Sequence, residues 1–383
     1  MSGVRIPPAA PTSLFGLPMI SGWYSAVMPH RRRRVPRTLR GVAASACVLG
    51  SVAVADSAAV ATEAPSHVAY VAGTILPGTN CPVFPADNVW NTSIAQLPVN
   101  VNSARWMAAM NASSTYLHPD YGPSGNPHQP YGIPWNVVPV HVTFTRIAFQ
   151  YASESDKGPY PLTLNTPIEG GSDRHALMVD PHASATSSAC TLFETYDTYF
   201  HAGGKSTAGS GAIWKLTSNA LRPATFTSAD AAGLPILPGL VNYNEVMSGA
   251  MDHAIRFTAQ CTNQAYLWPA RHEAGQAAPQ CPPMGARFRL RASYTLPRSQ
   301  CSVFCQTVLT TMKTYGLILA DNGSNWYFQG TADTRWTYTQ VDQLKAIRAS
   351  AFVAVNESCL EISASSGQAR QPGTATYASR CRG

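Results

Sequence analysis

The chain has few charged residues, and it lacks the short motifs that identify common enzyme classes. Charged side chains make up 12% of its 383 residues. There is no H-E-x-x-H motif, EF-hand loop or glycine-rich phosphate loop, which argues against the usual zinc protease, calcium and nucleotide sites. There is no G-x-S-x-G elbow either, which argues against an ordinary serine hydrolase.

The N-terminal region has the pattern of a targeting sequence. Residues 30–40 are HRRRRVPRTLR, and the apolar stretch that follows, about 15 residues long, is too short to span a membrane. With Ala59-Val60-Ala61 as a cleavage site, this predicts a secretory signal peptide over residues 28–61, with the export route left open. Residues 1–27 resemble the translation of a transfer-RNA gene. This resemblance predicts that the start codon was assigned too far upstream and that Met28 is the true initiator. A disordered extension is the alternative.

The basic charge of the chain belongs mostly to this N-terminal region. Residues 1–61 contain seven arginines and one aspartate, so the net charge of +7 leaves +1 for residues 62–383. A nearly neutral chain lacks the basic surface of a nucleic-acid-binding protein. We expect a monomer that has no cofactor, no nucleic-acid partner and no membrane attachment after signal cleavage.

Eight of the nine cysteines follow the predicted signal peptide. An even number in an exported chain, without any C-x-x-C pair, favours disulfides over metal thiolates. Proximity along the chain predicts the pairs Cys261–Cys281, Cys301–Cys305 and Cys359–Cys381. The two remaining cysteines then form the fourth pair, Cys81–Cys190.

Short apolar and β-branched runs recur between turn signals and predict a mainly β fold. The runs are residues 137–149, 175–180, 190–200, 211–216, 253–259, 285–294 and 315–321. Helical spacing is found in residues 103–111 and 303–315. We expect an antiparallel two-sheet β-sandwich or jelly-roll-like domain over residues 81–355, with a few peripheral helices. A linker over residues 62–80 precedes it, and a disulfide-tied tail over residues 356–383 follows.

Polar groups are concentrated in residues 168–180, IEGGSDRHALMVD, at the entry to a predicted strand. Glu169, Asp173 and His175 there are candidates for binding and proton transfer. The alternative is an Asp173–Arg174 turn clamp with a core histidine. Acidic, basic and imidazole groups recur at other predicted strand ends: Asp230, Asp252, His253, Arg271, His272 and Asp321. Their convergence on one rim would form a cleft.

Two further hypotheses concern the position of these groups. Asp173 and His175 are expected to line one cavity with Arg271 and His272, with the two imidazoles within about 12 Å. The alternating arginines of RFRLRA, at positions 287, 289 and 291, with Arg256 on an adjacent strand, form either a solvated face or a cationic floor for an anionic polymer.

Long motifs resemble a largely uncharacterised family of secreted bacterial proteins. They are YGIPWNVV, PIEGG, DRHALMVD, TSADAAGLPILPGL, DHAIRFT, WPARH, PPMGARFRLRASY and ADNGSNWYF. The resemblance covers nearly all of residues 81–355 and brings no catalytic assignment.

The leading hypothesis is a secreted glycoside hydrolase that acts on an extracellular or cell-wall polysaccharide through paired carboxylates. A polysaccharide lyase is a related possibility. Glu169 or Asp173 is the expected acid, with Asp321 or Asp252 as its partner. The expected substrate-binding residues are His175, His253, Arg271, His272, Trp135, Trp268 and Trp326. The alternatives are a non-catalytic glycan-binding protein and a metal-dependent hydrolase built on His175, His253 and His272.

The exported protein is expected to begin near Thr62 with all eight cysteines oxidised. Intact-mass measurement should therefore show a loss of about eight hydrogens relative to the reduced chain. Free thiols at several of these positions, or an N-terminus upstream of Met28, would contradict this prediction.

Overall fold

The computed structural model describes residues 74–126, 128–183, 188–201, 203 and 205–381. The predicted initiator and signal peptide, and the linker as far as residue 73, lie outside these ranges. No helix within the ranges is long and apolar enough to cross a membrane.

Within the described ranges, the regular structure consists of twelve short strands, five α-helices and four short 3-10 helices. The strands are β1 His118–Asp120, β2 Trp135–Val137, β3 Ala148–Phe149, β4 Ala176–Asp180, β5 Thr191–Tyr196, β6 Thr207–Ala208, β7 Ser210–Lys215, β8 Ile255–Ala259, β9 Arg287–Leu290, β10 Leu317–Asn322, β11 Tyr327–Gln329 and β12 Phe352–Val355. The helices are α1 Ser103–Ala109, α2 Tyr243–Ser248, α3 Val303–Thr314, α4 Tyr338–Leu344 and α5 Ala375–Cys381.

The strands form mixed sheets, so the mainly β prediction is confirmed but the purely antiparallel arrangement is wrong. A six-stranded sheet has the order β1-β11-β8-β10-β9-β12, a four-stranded sheet has the order β2-β4-β5-β7, and β3 pairs with β6. β10 runs parallel to β8 and antiparallel to β9. A parallel pair needs a long crossover, and here β9 and α3 lie in the connection between β8 and β10.

Most of the predicted elements have a counterpart in the structure. Both predicted helices are confirmed as α1 and α3, and all seven strand runs contain strand residues. The run 137–149 is not one continuous strand, because only its two ends are strands. Pro139 in this run lacks an amide hydrogen for a ladder, and His141 has a positive φ of 71°.

Trp326 lies at the centre of the core beneath the six-stranded sheet. Its side chain is fully buried, and its ring stacks on Phe257 with centroids 5.6 Å apart. Its indole Nε1 donates a hydrogen bond to the carbonyl of Met110 at 3.0 Å. The prediction that Trp326 stacks on a sugar is therefore wrong, because its ring faces are covered by protein.

The arginines of β9 form neither a solvated face nor a cationic floor. Arg287 is buried and donates to the carbonyls of Val89 and Tyr315 at 2.9 and 2.7 Å. Arg289 donates to the carbonyls of Ile94 and Leu97. These side chains hold the segment before α1 to the sheet, and β10 separates β9 from the strand that carries Arg256.

All four predicted disulfides are confirmed: Cys81–Cys190, Cys261–Cys281, Cys301–Cys305 and Cys359–Cys381. The C-terminal segment also packs on the rest of the fold. The buried carboxylate of Glu357 lies 3.5 Å from Arg287 Nη1, and the amide of Ala369 donates to the carbonyl of Asp87. Residues 356–381 therefore belong to the same compact unit as the sheets.

Candidate functional site

The face of the six-stranded sheet that points away from the core carries polar residues. Side chains alternate along a strand, so Phe257 of β8 points into the core while Arg256 and Thr258 point to the opposite face. β11 runs antiparallel to β8 with Tyr327 opposite Thr258. Tyr327 and Gln329 of β11 therefore share the face of Arg256.

β1 extends this face by one more strand. It runs parallel to β11, with His118 beside Tyr327 and Asp120 beside Gln329. The rings of His118 and Tyr327 stack with centroids 4.0 Å apart and planes 15° apart. Asp120 is exposed. The face thus presents an aromatic pair next to a carboxyl group.

A β-bulge in β10 brings Asp321 to the same face. Leu319 pairs with Phe257 and Asp321 pairs with Thr258, so Ala320 is an extra residue between them. Without it, Asp321 would stand opposite Ala259 and point into the core. Bulges commonly re-aim side chains in this way near active sites.

Arg256 is the central charge of this face. Its side chain is buried, and its Nε and Nη2 donate to the two carboxylate oxygens of Asp230 at 2.9 and 2.6 Å. Asp321 Oδ2 lies 3.7 Å from Nη2. The positive charge also acts on Glu169 and Asp120. We call the following residues the Arg256 cluster: Asp120, Glu169, His175, Asp230, Arg256 and Asp321.

Asp230 is held in place by residues 228–240, SADAAGLPILPGL, which we call the connecting segment. The amide of Ala232 in this segment donates to the carbonyl of Ala320 in β10 at 2.9 Å. The buried carboxylate of Glu194 in β5 accepts from the amides of Ile236 and Leu237 at 3.0 and 2.9 Å. The segment is therefore bonded to both larger sheets.

His175 and Glu169 form a charged pair at the edge of the cluster. His175 Nδ1 lies 2.6 Å from Glu169 Oε2, and its Nε2 lies 3.2 Å from the carbonyl of Ala229. Both partners are acceptors, so both ring nitrogens must carry hydrogens. Burial lowers the pKa of His175, but the hydrogen bond and charge of Glu169 outweigh burial and raise it overall.

The carboxyl groups of the cluster have pKa values that are shifted in opposite directions. Burial alone would raise the pKa of Glu169, but the hydrogen bond from His175 outweighs it and lowers the pKa. Burial and the charge of Asp230 raise the pKa of Asp321 to about 8, despite Arg256 and His175. At neutral pH the site therefore holds an ionised Glu169 and a largely protonated Asp321, whose side chain is 24% exposed.

Asp120 has a raised pKa as well. Partial removal from water is the main cause, and the charge of Glu169 adds to it, while a hydrogen bond from Gln329 opposes it. Asp173 is exposed, and its charge acts on His175 and on the half-buried Tyr196. Both carboxyls therefore border the site on its solvent side.

Asp252 and His253 lie away from the cluster. They precede β8, whereas Asp321 lies near the end of β10, which is parallel to β8. Five strand residues span about 16 Å. Asp252 is in charge contact with Tyr315, and His253 bonds Glu245 Oε2 at 2.8 Å. The structure therefore does not bring Asp252 to Asp321 as a carboxylate partner.

The three-histidine metal hypothesis is not supported by the described part of the chain. His253 is bonded to Glu245 and to the carbonyl of Ala254, at the other end of β8 from Asp321. Within the described ranges, no three His, Cys, Asp or Glu side chains are grouped so that they could hold a metal ion.

Trp268 and Arg271 are bonded to the C-terminal segment. Trp268 Nε1 donates to the carbonyl of Ser366 at 2.8 Å. The buried Arg271 donates to the carbonyls of Arg222 and Ala364. These side chains anchor the loop closed by Cys261–Cys281, and their polar groups are directed to the backbone rather than to the Arg256 cluster.

His272 and His175 are connected through the connecting segment. His272 Nδ1 lies 2.8 Å from the carbonyl of Ala231, two residues after the carbonyl that His175 bonds. His272 Nε2 lies 3.6 Å from Glu154. His272 is therefore paired with Glu154, next to the Arg256 cluster.

Of the predicted tryptophans, Trp135 is half-buried in β2, next to β4.

The central role of Arg256 and Asp230 and the roles of Asp120, His118 and Tyr327 were not predicted. One signal was present in HAIRFTA, where an arginine interrupts an apolar strand. A buried guanidinium needs a carboxylate partner, so that arginine indicated an ion pair. Nothing local pointed to Asp230, 26 residues earlier, as the partner.

Comparison with known proteins assigns no function to this arrangement. No family model, curated protein or solved structure matches the chain. The function must therefore be argued from the geometry of the Arg256 cluster.

Replacing Asp321 with asparagine is expected to stabilise the protein at neutral pH. An acid with a raised pKa holds its proton more tightly in the folded chain, so the free energy of unfolding falls as pH rises from 3.8 to about 8. Asparagine does not titrate and can still accept the hydrogen bond that Asp321 Oδ1 receives from the amide of Asn322. The Tm of Asp321→Asn minus that of the wild type should therefore increase through this pH window.

Thermal unfolding between pH 4 and 8 measures this difference. Asp252→Asn is the control for removal of one carboxyl outside the cluster. A Tm difference for Asp321→Asn that does not change with pH, or that decreases, would show that the pKa of Asp321 is not raised.

Proposed function

We propose that this protein is a secreted glycoside hydrolase that acts on an extracellular or cell-wall polysaccharide. The proposal rests on one observation: Asp321 and Glu169, with pKa values shifted in opposite directions, are both in charge contact with Arg256. Titratable pairs whose environments separate their pKa values are typical of acid–base catalysis.

In this mechanism Asp321 is the general acid. Its carboxyl is protonated at neutral pH and partly exposed, so it can donate a proton to the leaving glycosidic oxygen. After bond cleavage, Arg256 at 3.7 Å offsets part of the cost of the negative charge on Asp321. This reverses the roles expected from the sequence, where Glu169 was a candidate for the acid and Asp321 for its partner.

Glu169 is the ionised carboxylate of the pair. It either activates a water molecule or attacks the sugar directly, the two standard roles of the second carboxylate in this class. His175 is a positioning residue, because its Nδ1–H holds one carboxylate oxygen at 2.6 Å and keeps Glu169 charged. The stacked rings of His118 and Tyr327 take the sugar-binding role that Trp326 cannot perform.

Secretion is part of the proposal. Four disulfides connect the described residues, and structural disulfides persist mainly in oxidising compartments outside the cytosol. The basic and apolar N-terminal pattern supports the same destination. We also propose membership of the secreted bacterial family that the long motifs resemble.

Asp321→Asn and Glu169→Gln are each expected to lower kcat by about 100-fold or more, the usual contribution of a positioned acid or base. Wild-type activity should decline as pH rises through about 8, where Asp321 loses its proton. It should also decline at a pH below 4.5, where Glu169 gains one. Reducing-end release over a panel of plant, fungal and bacterial polysaccharides provides the measurement.

Asp252→Asn is the matched control for this experiment, because it removes a carboxyl at the other end of β8. The proposed roles are wrong if Asp321→Asn retains the activity of the wild type, or if no polysaccharide in the panel is cleaved.

A further inference from the structure

The cations of the Arg256 cluster are buried and already paired. The side chains of Arg256 and His175 are 2% and 3% exposed, and they bind Asp230 and Glu169 respectively. A ligand approaching the face from solvent cannot displace these partners without leaving buried charges unpaired.

The carboxyl groups, by contrast, are within reach of a ligand. Asp120 and Asp173 are exposed, and Glu169 and Asp321 are partly exposed. Two other cations near the face have partners: Lys345 pairs with Asp342 at 2.7 Å, and Arg174 donates to the carbonyl of Thr198. An anionic polymer at this part of the described structure would therefore meet mainly carboxyl groups, which is unfavourable.

Gln329 supplies an independent sign that this face can take a hydrogen-bond donor. It is 5% exposed, and a hydrogen bond from its side chain lowers the pKa of Asp120. Only the amide nitrogen can donate to a carboxylate, so Oε1 is the acceptor of this side chain. This oxygen is buried and has no hydrogen-bond partner among the described residues. A buried acceptor of this kind calls for a donor.

The aromatic pair beside Asp120 suits a cationic sugar. Burial and the charge of Lys345 lower the pKa of His118 despite the opposing charge of Asp120, so the ring is neutral near pH 7. Tyr327 lies against it at 4.0 Å. A sugar that stacks on this pair would place a substituent near Asp120, where an ammonium group gains both a carboxylate and an aromatic neighbour.

We infer that the face formed by Asp120, Gln329, His118 and Tyr327 is a subsite for a glycan that carries free amino groups. Cleavage of that glycan at this site rests on the proposed function. Binding of the glycan at the subsite does not depend on the proposed function. Asp120 accepts a hydrogen bond from the ammonium group, and Gln329 Oε1 accepts a second hydrogen bond from the same sugar.

Binding is tested with three hexasaccharides: β-1,4-linked glucosamine, its fully N-acetylated form and an oligogalacturonate. Calorimetry on the disulfide-bonded protein should give the tightest Kd for the glucosamine hexamer, weakened by added salt. Asp120→Asn should weaken that Kd about tenfold, Asp120→Glu should restore part of it, and Asp252→Asn should leave it unchanged. Equal or tighter binding of the acetylated or anionic hexamer, or an equal effect of Asp120→Asn and Asp252→Asn, would overturn the inference.

Cleavage of the same oligomers separates this inference from the proposed function. Binding of the glucosamine hexamer through Asp120 without any cleavage would support the subsite and contradict the hydrolase. Cleavage of neutral polysaccharides together with no tighter binding of the glucosamine hexamer would contradict the subsite and leave the hydrolase intact.

Discussion

The buried ion pair between Arg256 and Asp230 is the interaction on which the rest of the site depends. A guanidinium on a central strand is tolerated only when a carboxylate compensates its charge, and Asp230 does so through two hydrogen bonds. Because Asp230 lies in the connecting segment, this pair also fixes that segment against the six-stranded sheet. Glu194 fixes the same segment to the four-stranded sheet. The pair therefore joins the architecture of the fold to the electrostatics of its polar face.

The same pair accounts for the separated pKa values. Burial and the repulsion from Asp230 together outweigh the stabilisation that Asp321 receives from Arg256 at 3.7 Å, so the pKa of Asp321 is raised. Glu169 has its own cation in His175, whose two nitrogens both face acceptors. Two carboxyl groups of the cluster thus have different protonation states at neutral pH. Adding or removing a single charge would reduce the difference between their pKa values.

Local patterns were sufficient for part of the fold. Apolar alternation located most strands, helical spacing located α1 and α3, and sequence proximity located three disulfides, because these features depend on neighbouring residues. The sheet order, the bulge at Ala320 and the partner of Arg256 depend on long-range packing, which no local pattern records. The Glu169–Asp321 pair was proposed from polar residues at strand ends, but its acid and base roles followed from burial and from His175. Trp326 was misassigned because an aromatic residue near a strand end has the same local pattern whether it is exposed or buried.

The most direct test is a titration of the side-chain carboxyl groups by ¹³C NMR, in the wild type and in Asp230→Asn. We predict that Asp321 titrates near pH 8 and Glu169 below its usual value of 4.5 in the wild type. In Asp230→Asn the pKa of Asp321 should fall, because the repelling charge is removed and Arg256 is left free to stabilise the carboxylate. If Asp321 and Glu169 both titrate near pH 4 in the wild type, or if Asp230→Asn leaves Asp321 unchanged, the Arg256 cluster does not separate their protonation states and the account is wrong.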